Sequence, residues 1–284
     1  MVIVVASGKG GTGKTTVATN LALYLSPGYN LSFMDLDVEE PNAHIFLKPR
    51  EAKDTPVNKK IPRINYDKCT FCGLCADICV YNALAVLKNK VNEVMVFPEM
   101  CHSCGACMEL CPEDAISEID YKIGHIKFAD LPGIRFYEGN LNVGELAAPE
   151  VIAQVKKYIN HEDLTIMDAP PGSSCSVVES VKNVDFCILV TEPTPFGLSD
   201  LKIMVDLLKK LSIPTGIIIN QYEEGQTLIE DYAREKNVPI LARIPFDREI
   251  AHYYSTGIPF ITSMPGYKDI FAGIIPEIKE LVAK

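Results

Sequence analysis

Gly8-Lys9-Gly10-Gly11-Thr12-Gly13-Lys14-Thr15 follows the apolar run Val2-Ile3-Val4-Val5-Ala6 and precedes Thr16-Val17-Ala18-Thr19-Asn20-Leu21-Ala22-Leu23-Tyr24-Leu25. The β-branched run reads as a buried strand. The segment from Thr16 reads as a helix that stops before Pro27-Gly28. A strand, a glycine-rich loop closed by Lys-Thr, and a helix are the parts a phosphate-binding loop needs. The glycines let successive backbone N–H groups turn towards an anion, and the helix start adds the positive end of its dipole. Lys14 is then expected to reach the β- and γ-phosphates of a nucleotide, and the Thr15 hydroxyl to complete a Mg²⁺ shell. Gly8, Lys9, Gly10, Gly11, Thr12, Gly13, Lys14, Thr15 and Thr16 are the candidate phosphate cradle.

Working outward, Leu31-Ser32-Phe33-Met34-Asp35-Leu36 reads as a second strand ending in Asp37. Carboxylates at the end of that strand belong at the nucleotide edge of a parallel sheet. Val38–Asn42 reads as an extended loop. Residues 48–62, with Pro49, Pro56, Pro62 and a mixed-charge run, read as a linker. Further on, strands are expected at Ile126–Phe128, Ile134–Tyr137, Leu164–Met167, Phe186–Val190, Thr215–Ile219 and Ile240–Ile244. Helices are expected over about 148–160, 198–211, 227–236 and 267–283, the last interrupted at Pro276. Strands alternating with helices give an α/β fold with a doubly wound, mainly parallel sheet.

The cysteines interrupt this pattern. Eight of the ten lie between positions 69 and 111; Cys175 and Cys187 stand apart. Cys69, Cys72, Cys75, Cys79 and then Cys101, Cys104, Cys107, Cys111 each have the spacing C-x₂-C-x₂-C-x₃-C, an internal repeat. Three thiolates at i, i+3 and i+6 hold three corners of a 4Fe–4S cubane, and the fourth ligand comes from the other half. On that rule Cys69, Cys72, Cys75 and Cys111 hold one cluster, while Cys101, Cys104, Cys107 and Cys79 hold the second. Zinc sites use separated cysteine pairs instead. Pro112 follows the last cysteine as in bacterial ferredoxins, whereas Val80 stands at the equivalent place in the first half. Short strands at Ala83–Leu87 and Val91–Phe97 are expected around Lys88-Asn89-Lys90, and His102 reads as a solvated loop residue. The expected organisation is 1–62 and 118–284 for the nucleotide domain, with a two-cluster ferredoxin-like module inserted at 63–117.

Lys9, directly before Gly10-Gly11, makes the phosphate loop resemble that of the MinD/ParA and nitrogenase iron-protein superfamily. The resemblance implies that Lys9 reaches across a nucleotide-sandwich homodimer to the partner's phosphates. Asp35-Leu36-Asp37 with Asn42 is similar to the family's first switch, which implies that Asp37 positions the attacking water and supports Mg²⁺; Asp35 could take part of this role. Asp168-Ala169-Pro170-Pro171-Gly172 is similar to its second switch, which implies Asp168 on Mg²⁺ through water and Gly172 near the γ-phosphate. Asn220, after Ile217-Ile218-Ile219, resembles the adenine-pairing asparagine, and Pro245-Phe246-Asp247 the second wall of the base pocket. With Pro41-Asn42, Leu47-Lys48-Pro49 and Thr191–Gly197 added, the whole chain resembles MinD-like ATPases that carry an inserted ferredoxin domain. That resemblance implies ATP/ADP, Mg²⁺, two 4Fe–4S clusters and a homodimer.

Composition narrows the remaining functions. A net charge of −10 argues against nucleic acid as the main partner. No apolar run approaches the roughly 20 residues of a membrane span, and a cytoplasmic protein is expected. Glu277–Lys284 balances Glu and Lys and is expected to dock on the core rather than on a membrane. Cys175 lies seven residues after Asp168, the offset of a bridging-cluster ligand in the nitrogenase iron protein, but with no second free thiolate beside it, it reads as a small packing residue ahead of a ligand or redox-active thiol, while Cys187 reads as a buried thiol. The leading expectation is an ATPase that couples nucleotide state to electron transfer or metallocofactor assembly on a partner protein. An Mrp-type cluster carrier is the first alternative, although the C-x-x-C that type uses in its C-terminal half is missing. A MinD/ParA-like positioning ATPase is the second, and it leaves eight cysteines unexplained.

Overall fold

The computed structural model describes residues 1–88 and 91–283 and divides into two compact units. The first comprises 1–54, 126–140 and 152–284; the second comprises 55–125 and 141–151.

The first unit is built on a parallel sheet. Its strands are β1 (Val2–Ala6), β2 (Leu31–Asp35), β7 (Ile134–Leu141), β8 (Leu164–Asp168), β9 (Phe186–Thr191), β10 (Thr215–Tyr222) and β11 (Ile240–Pro245). They run in the order β11-β10-β9-β1-β8-β2-β7, every neighbouring pair parallel. Strands covered on both faces need no polar alternation, and β1, β2, β8 and β9 are buried at every residue. The order reverses direction around β1, the kind of switch point at whose carboxyl edge α/β proteins bind ligands.

Helices and strands fall where the sequence places them, with instructive exceptions. The helix after the glycine loop starts at Lys14 and ends at Leu25. The stretch 48–62 is not a linker: Lys53–Ile64 forms β3. Val57, Lys59 and Ile61 are buried while Lys60 is exposed, a period-two pattern hidden by a lysine that faces inward. Pro276 does not interrupt the last helix. The break falls at Gly273, and Pro276 sits in the first turn of Ile274–Val282, where a missing N–H costs nothing. Ile274, Ile275 and Ile278 of that helix are buried in the core, so it docks as expected; Lys284 lies outside the described residues. Among the described residues of the first unit, four short helices were not legible in the sequence: Ala43–Leu47, Cys175–Val181, Arg248–Ser255 and Phe260–Ser263.

The second unit carries the cysteine repeat. It contains β3, β4 (Leu84–Leu87), β5 (Glu93–Val96) and the start of β6 (Ile116–Leu131), with β4 and β5 antiparallel and β3 beside β6. Asn89 and Lys90 lie outside the described residues. The 32-residue repeat is written into the backbone. Phe71 and Ser103 both take left-handed φ, as do Gly73 and Gly105, and Asn82 and Asp114. Leu74–Asp77 and Ala106–Glu109 are equivalent single helical turns. Asn65 N–H donates to the Ala115 carbonyl at 2.7 Å, and Phe97 N–H donates to the Ala83 carbonyl at 2.8 Å. These two bonds are equivalent under the 32-residue offset and each ties one half of the repeat to the other. The halves form a pseudo-twofold pair.

The packing of the last helix is testable. Ile278 is fully buried and Val282 is 40% exposed. Ile278→Ala should cost about 2–5 kcal/mol in chemical denaturation, and Val282→Ala within about 0.5 kcal/mol of nothing.

Candidate nucleotide and metal-cluster sites

Lys14 and Thr15 open the first helix directly below the carboxyl end of β1, and β8 brings Asp168 beside them. Lys14 Nζ donates to Asp168 Oδ1 at 2.8 Å, and Thr15 Oγ1 donates to Asp168 Oδ2 at 2.5 Å. All three residues are buried. Burial works against the Lys14 charge, but Asp168 outweighs it and holds the ammonium above its usual range. Gly13, at φ +88°, is where the loop enters the helix, and a methyl group there would lie 2.3 Å from Asn220 Nδ2. The Asn220 amide itself donates to the Thr12 carbonyl at 2.8 Å, so it braces the loop.

Asp35 and Asp168 are register partners on β2 and β8, yet they differ in role. Asp35 Oδ1 accepts from Asp37 N–H at 3.1 Å, and Oδ2 accepts from Asn42 and Ala43 N–H at 3.0 and 2.9 Å. Fully buried, with Asp168 adding repulsion, its carboxyl is pushed well above the usual range. Asp35 is thereby an organiser of the loop from 37 to 43. Asp37, half-buried, lines the cavity beyond. The helix Ala43–Leu47 is fixed a second time, by His44 Nδ1 at 2.7 Å from the Glu138 carboxylate. Glu138 also accepts from Lys127 and Asn140 at 2.9 and 3.1 Å. Burial disfavours its charge, but these bonds hold the carboxyl below its usual range.

These elements enclose a cavity of about 430 Å³. Lys9 through Thr16, Asp37, Asn220 and Pro245-Phe246-Asp247 line it. Gly8 and Gly172 do not lie on its lining; Gly172 N–H instead donates to the Ser7 carbonyl at 3.0 Å. Asp168 stands behind Lys14 rather than on the wall. Lys9 is held by Glu192 at 3.3 Å, a partner supplied by the Thr191–Gly197 stretch. Asn42 and Pro171, both from the switch motifs, also line it, whereas Ser7, Glu40, Gln221, Ile250, Ala251 and Tyr254 are lining residues that the sequence did not single out. Tyr254 and Ile250 recur at helical spacing in Arg248–Ser255, a signal too short to stand out. Thr12 Oγ1 and Asn42 Oδ1 are buried without hydrogen-bond partners, an orphaned hydroxyl and amide oxygen that a polar ligand would satisfy.

In the second unit, Cys69, Cys72, Cys75 and Cys111 line one cavity together with Ile64, Leu74, Val86 and Val94. This is the ligand set the spacing predicts, three from one half of the repeat and one from the other. Ala83 N–H donates to Cys79 Sγ and Ala115 N–H to Cys111 Sγ, both at 3.3 Å and equivalent in the repeat. Cys107 is pushed up to about 11 by burial and by the neighbouring Cys101 and Cys104. Among the described residues, no three His, Cys, Asp or Glu side chains converge on one point as single-ion ligands. His102 is exposed and stacks on Tyr81 at 3.9 Å. Cys175 is exposed at a helix start, and Cys187 is buried mid-strand with its thiol pushed up by burial.

Comparison with known proteins places this geometry. Residues 3–260 match the model of the CobQ/CobB/MinD/ParA nucleotide binding domain. The chain belongs to this family. It is an α/β P-loop ATPase with a mostly parallel, MinD-like central sheet. An uncharacterized protein of Methanocaldococcus jannaschii is 31% identical over 270 residues, spanning 92% of this chain and 91% of that one. An iron-sulfur cluster carrier protein of Aquifex aeolicus is 26% identical over 280 residues, spanning 93% of this chain and 62% of that one. The septum site-determining protein MinD of Pyrococcus horikoshii, solved with Mg-ADP, superposes with a TM-score of 0.63 at 22% identity, over 99% of this chain and 96% of that one. The last likeness shows the fold. No helix among the described residues is long and apolar enough to cross a membrane.

The Asp37 carboxyl gives a test of this geometry. Burial pushes it from 3.8 up to about 6, Asp168 adding to the rise and Lys14 opposing it. The native state therefore holds a proton that the unfolded chain has released across that window, and stability falls as pH rises through it. In metal-free, nucleotide-free protein, Asp37→Asn should melt above the parent protein at pH 7. The difference should vanish at pH 4, as thermal unfolding across pH 4–7 would show.

Proposed function

We propose that this chain is an ATPase whose second unit holds two 4Fe–4S clusters, and that nucleotide state in the first unit governs electron transfer or cluster delivery to a partner protein. The observation that carries the proposal is the pseudo-twofold cysteine repeat, one of whose cavities is lined by the three-plus-one ligand set Cys69, Cys72, Cys75 and Cys111. Cys101, Cys104, Cys107 and Cys79 would hold the second cluster. Bound clusters supply one-electron chemistry at potentials set by charge, hydrogen bonding and exposure.

In the first unit, Lys9 through Thr16 would cradle the phosphates, with Lys14 on the terminal ones and Thr15 and Asp168 serving Mg²⁺. A terminal phosphate would compete with Asp168 for Lys14, and Asp168 would then be free to support Mg²⁺. Asp37 faces the cavity and is the candidate to position the attacking water; Asp35, with both oxygens engaged by backbone N–H groups, is the candidate to hold the loop. Phe246 and Tyr254 are candidates for the base wall. Lys9, partly exposed beside Glu192, is the candidate to act across a homodimer. The relatives favour cluster delivery as a second reading, because one of them is named an iron-sulfur cluster carrier. The absence of a C-terminal C-x-x-C in this chain weighs the other way.

Anaerobic reconstitution with iron and sulfide, followed by redox titration without nucleotide, with ADP and with a non-hydrolysable ATP analogue, tests the proposal. About eight irons per chain and a nucleotide-dependent shift in potential are expected. Lys14→Ala should abolish the shift and lower ATP hydrolysis by about 10²–10³-fold. Potentials indifferent to nucleotide, with rapid cluster transfer to an apo-ferredoxin only when ATP is present, would select delivery over electron transfer. Failure to bind iron would refute both.

A further inference from the structure

The two cysteine loops are alike in backbone and unlike in charge. Gly73 follows Cys72 and Gly105 follows Cys104, at equivalent places in the repeat. A methyl group on Gly73 would lie 3.0 Å from Lys88 Nζ, and Lys88 donates to the Cys72 carbonyl at 2.7 Å. A methyl group on Gly105 would instead lie 3.7 Å from Glu118 Oε1. A cation thus sits against the first loop where an anion sits against the second.

Wider surroundings keep the difference. Around the first set the cavity adds one carboxylate, Glu113, so Lys88 and Glu113 balance. Beside the second set, a cavity that includes Cys101 is lined by Lys59, Glu99 and Glu150. The buried Lys59 ammonium is matched by Glu145 at 3.8 Å, and Lys60, whose carbonyl accepts from Ser103 Oγ, is matched through its side chain by Asp120 at 2.9 Å. Among the described residues, Glu99, Glu118 and Glu150 have no salt-bridge partner. The second neighbourhood is left net negative.

We infer that Lys88 and Glu118 make the two cluster sites unequal, the set Cys69, Cys72, Cys75 and Cys111 having the higher reduction potential and so being the site where an added electron rests. Reduction adds one negative charge, which a nearby ammonium favours and a nearby carboxylate opposes. The electron passes from a reduced second site to an oxidised first one with no bond broken and no proton moved. This inference rests on the two-cluster reading above.

Anaerobic redox titration of the reconstituted full chain, followed by electron paramagnetic resonance with dithionite as reductant, tests it. Two separate midpoints are expected in the parent protein. Lys88→Gln should lower the upper midpoint and leave the lower one in place. Glu118→Gln should raise the lower midpoint and leave the upper one in place, and both shifts should shrink in high salt because the charges are near solvent. Lys88 is exposed, Glu118 is half-buried on β6, and neither is one of the eight cysteine ligands, so each variant should retain its iron. A single midpoint for both sites, or Lys88→Gln leaving the upper midpoint unmoved, would overturn the inference while the two-cluster reading stands. Absence of any 4Fe–4S signal would overturn that reading and this inference with it.

Discussion

Asp168 stands at the end of β8 with no exposure, and it must be satisfied from within the protein. An ammonium and a hydroxyl do so, both from the first turn of the helix that leaves the glycine loop. A carboxylate isolated at that depth would cost several kcal/mol, so the pairing is a condition of burying the strand end at all. It also fixes the helix start relative to the sheet. The glycine loop spans the short gap between β1 and that fixed point, its curvature permitted at Gly13 by left-handed φ and kept clear for the Asn220 amide. The cavity is the space this arrangement leaves above the loop.

The second unit is organised by a different constraint. Each half of the repeat closes on the other through one backbone bond, Asn65 to Ala115 and Phe97 to Ala83, so neither half is complete alone. This reciprocity brings Cys111 to the cavity of the first three cysteines. Backbone symmetry is not matched by side-chain symmetry, and the mismatch in charge is what makes two similar loops chemically distinct.

Much of this was legible because the signals are local. The glycine loop needs only eight residues in a row, and the cysteine spacing only eleven, to specify what they build. Parallel strands buried on both faces announce themselves as unbroken apolar runs. β3 failed to announce itself because its inward alternation includes Lys59, whose partner Glu145 lies 86 residues away, and no local pattern reports a distant ion pair. Asp35 and Asp37 could not be separated in the sequence for a similar reason. What distinguishes them is that Asp35 binds the N–H groups of Asn42 and Ala43, a turn of the chain only the fold discloses. Tyr254 and Ile250 reached the cavity unannounced on a helix of eight residues.

The three N–H groups gathered by Asp35 bear on the thermodynamics of ligand entry. Ordering a residue's backbone costs about 1–2 kcal/mol in conformational entropy. Here the loop from 37 to 43 is already fixed at both ends of its turn by a buried carboxylate, and His44 extends the fixation into the helix beyond. That cost falls on folding, once, rather than on every binding event. A ligand entering the cavity meets a preorganised wall, and its affinity is set by its contacts and by displaced water rather than by the ordering of chain.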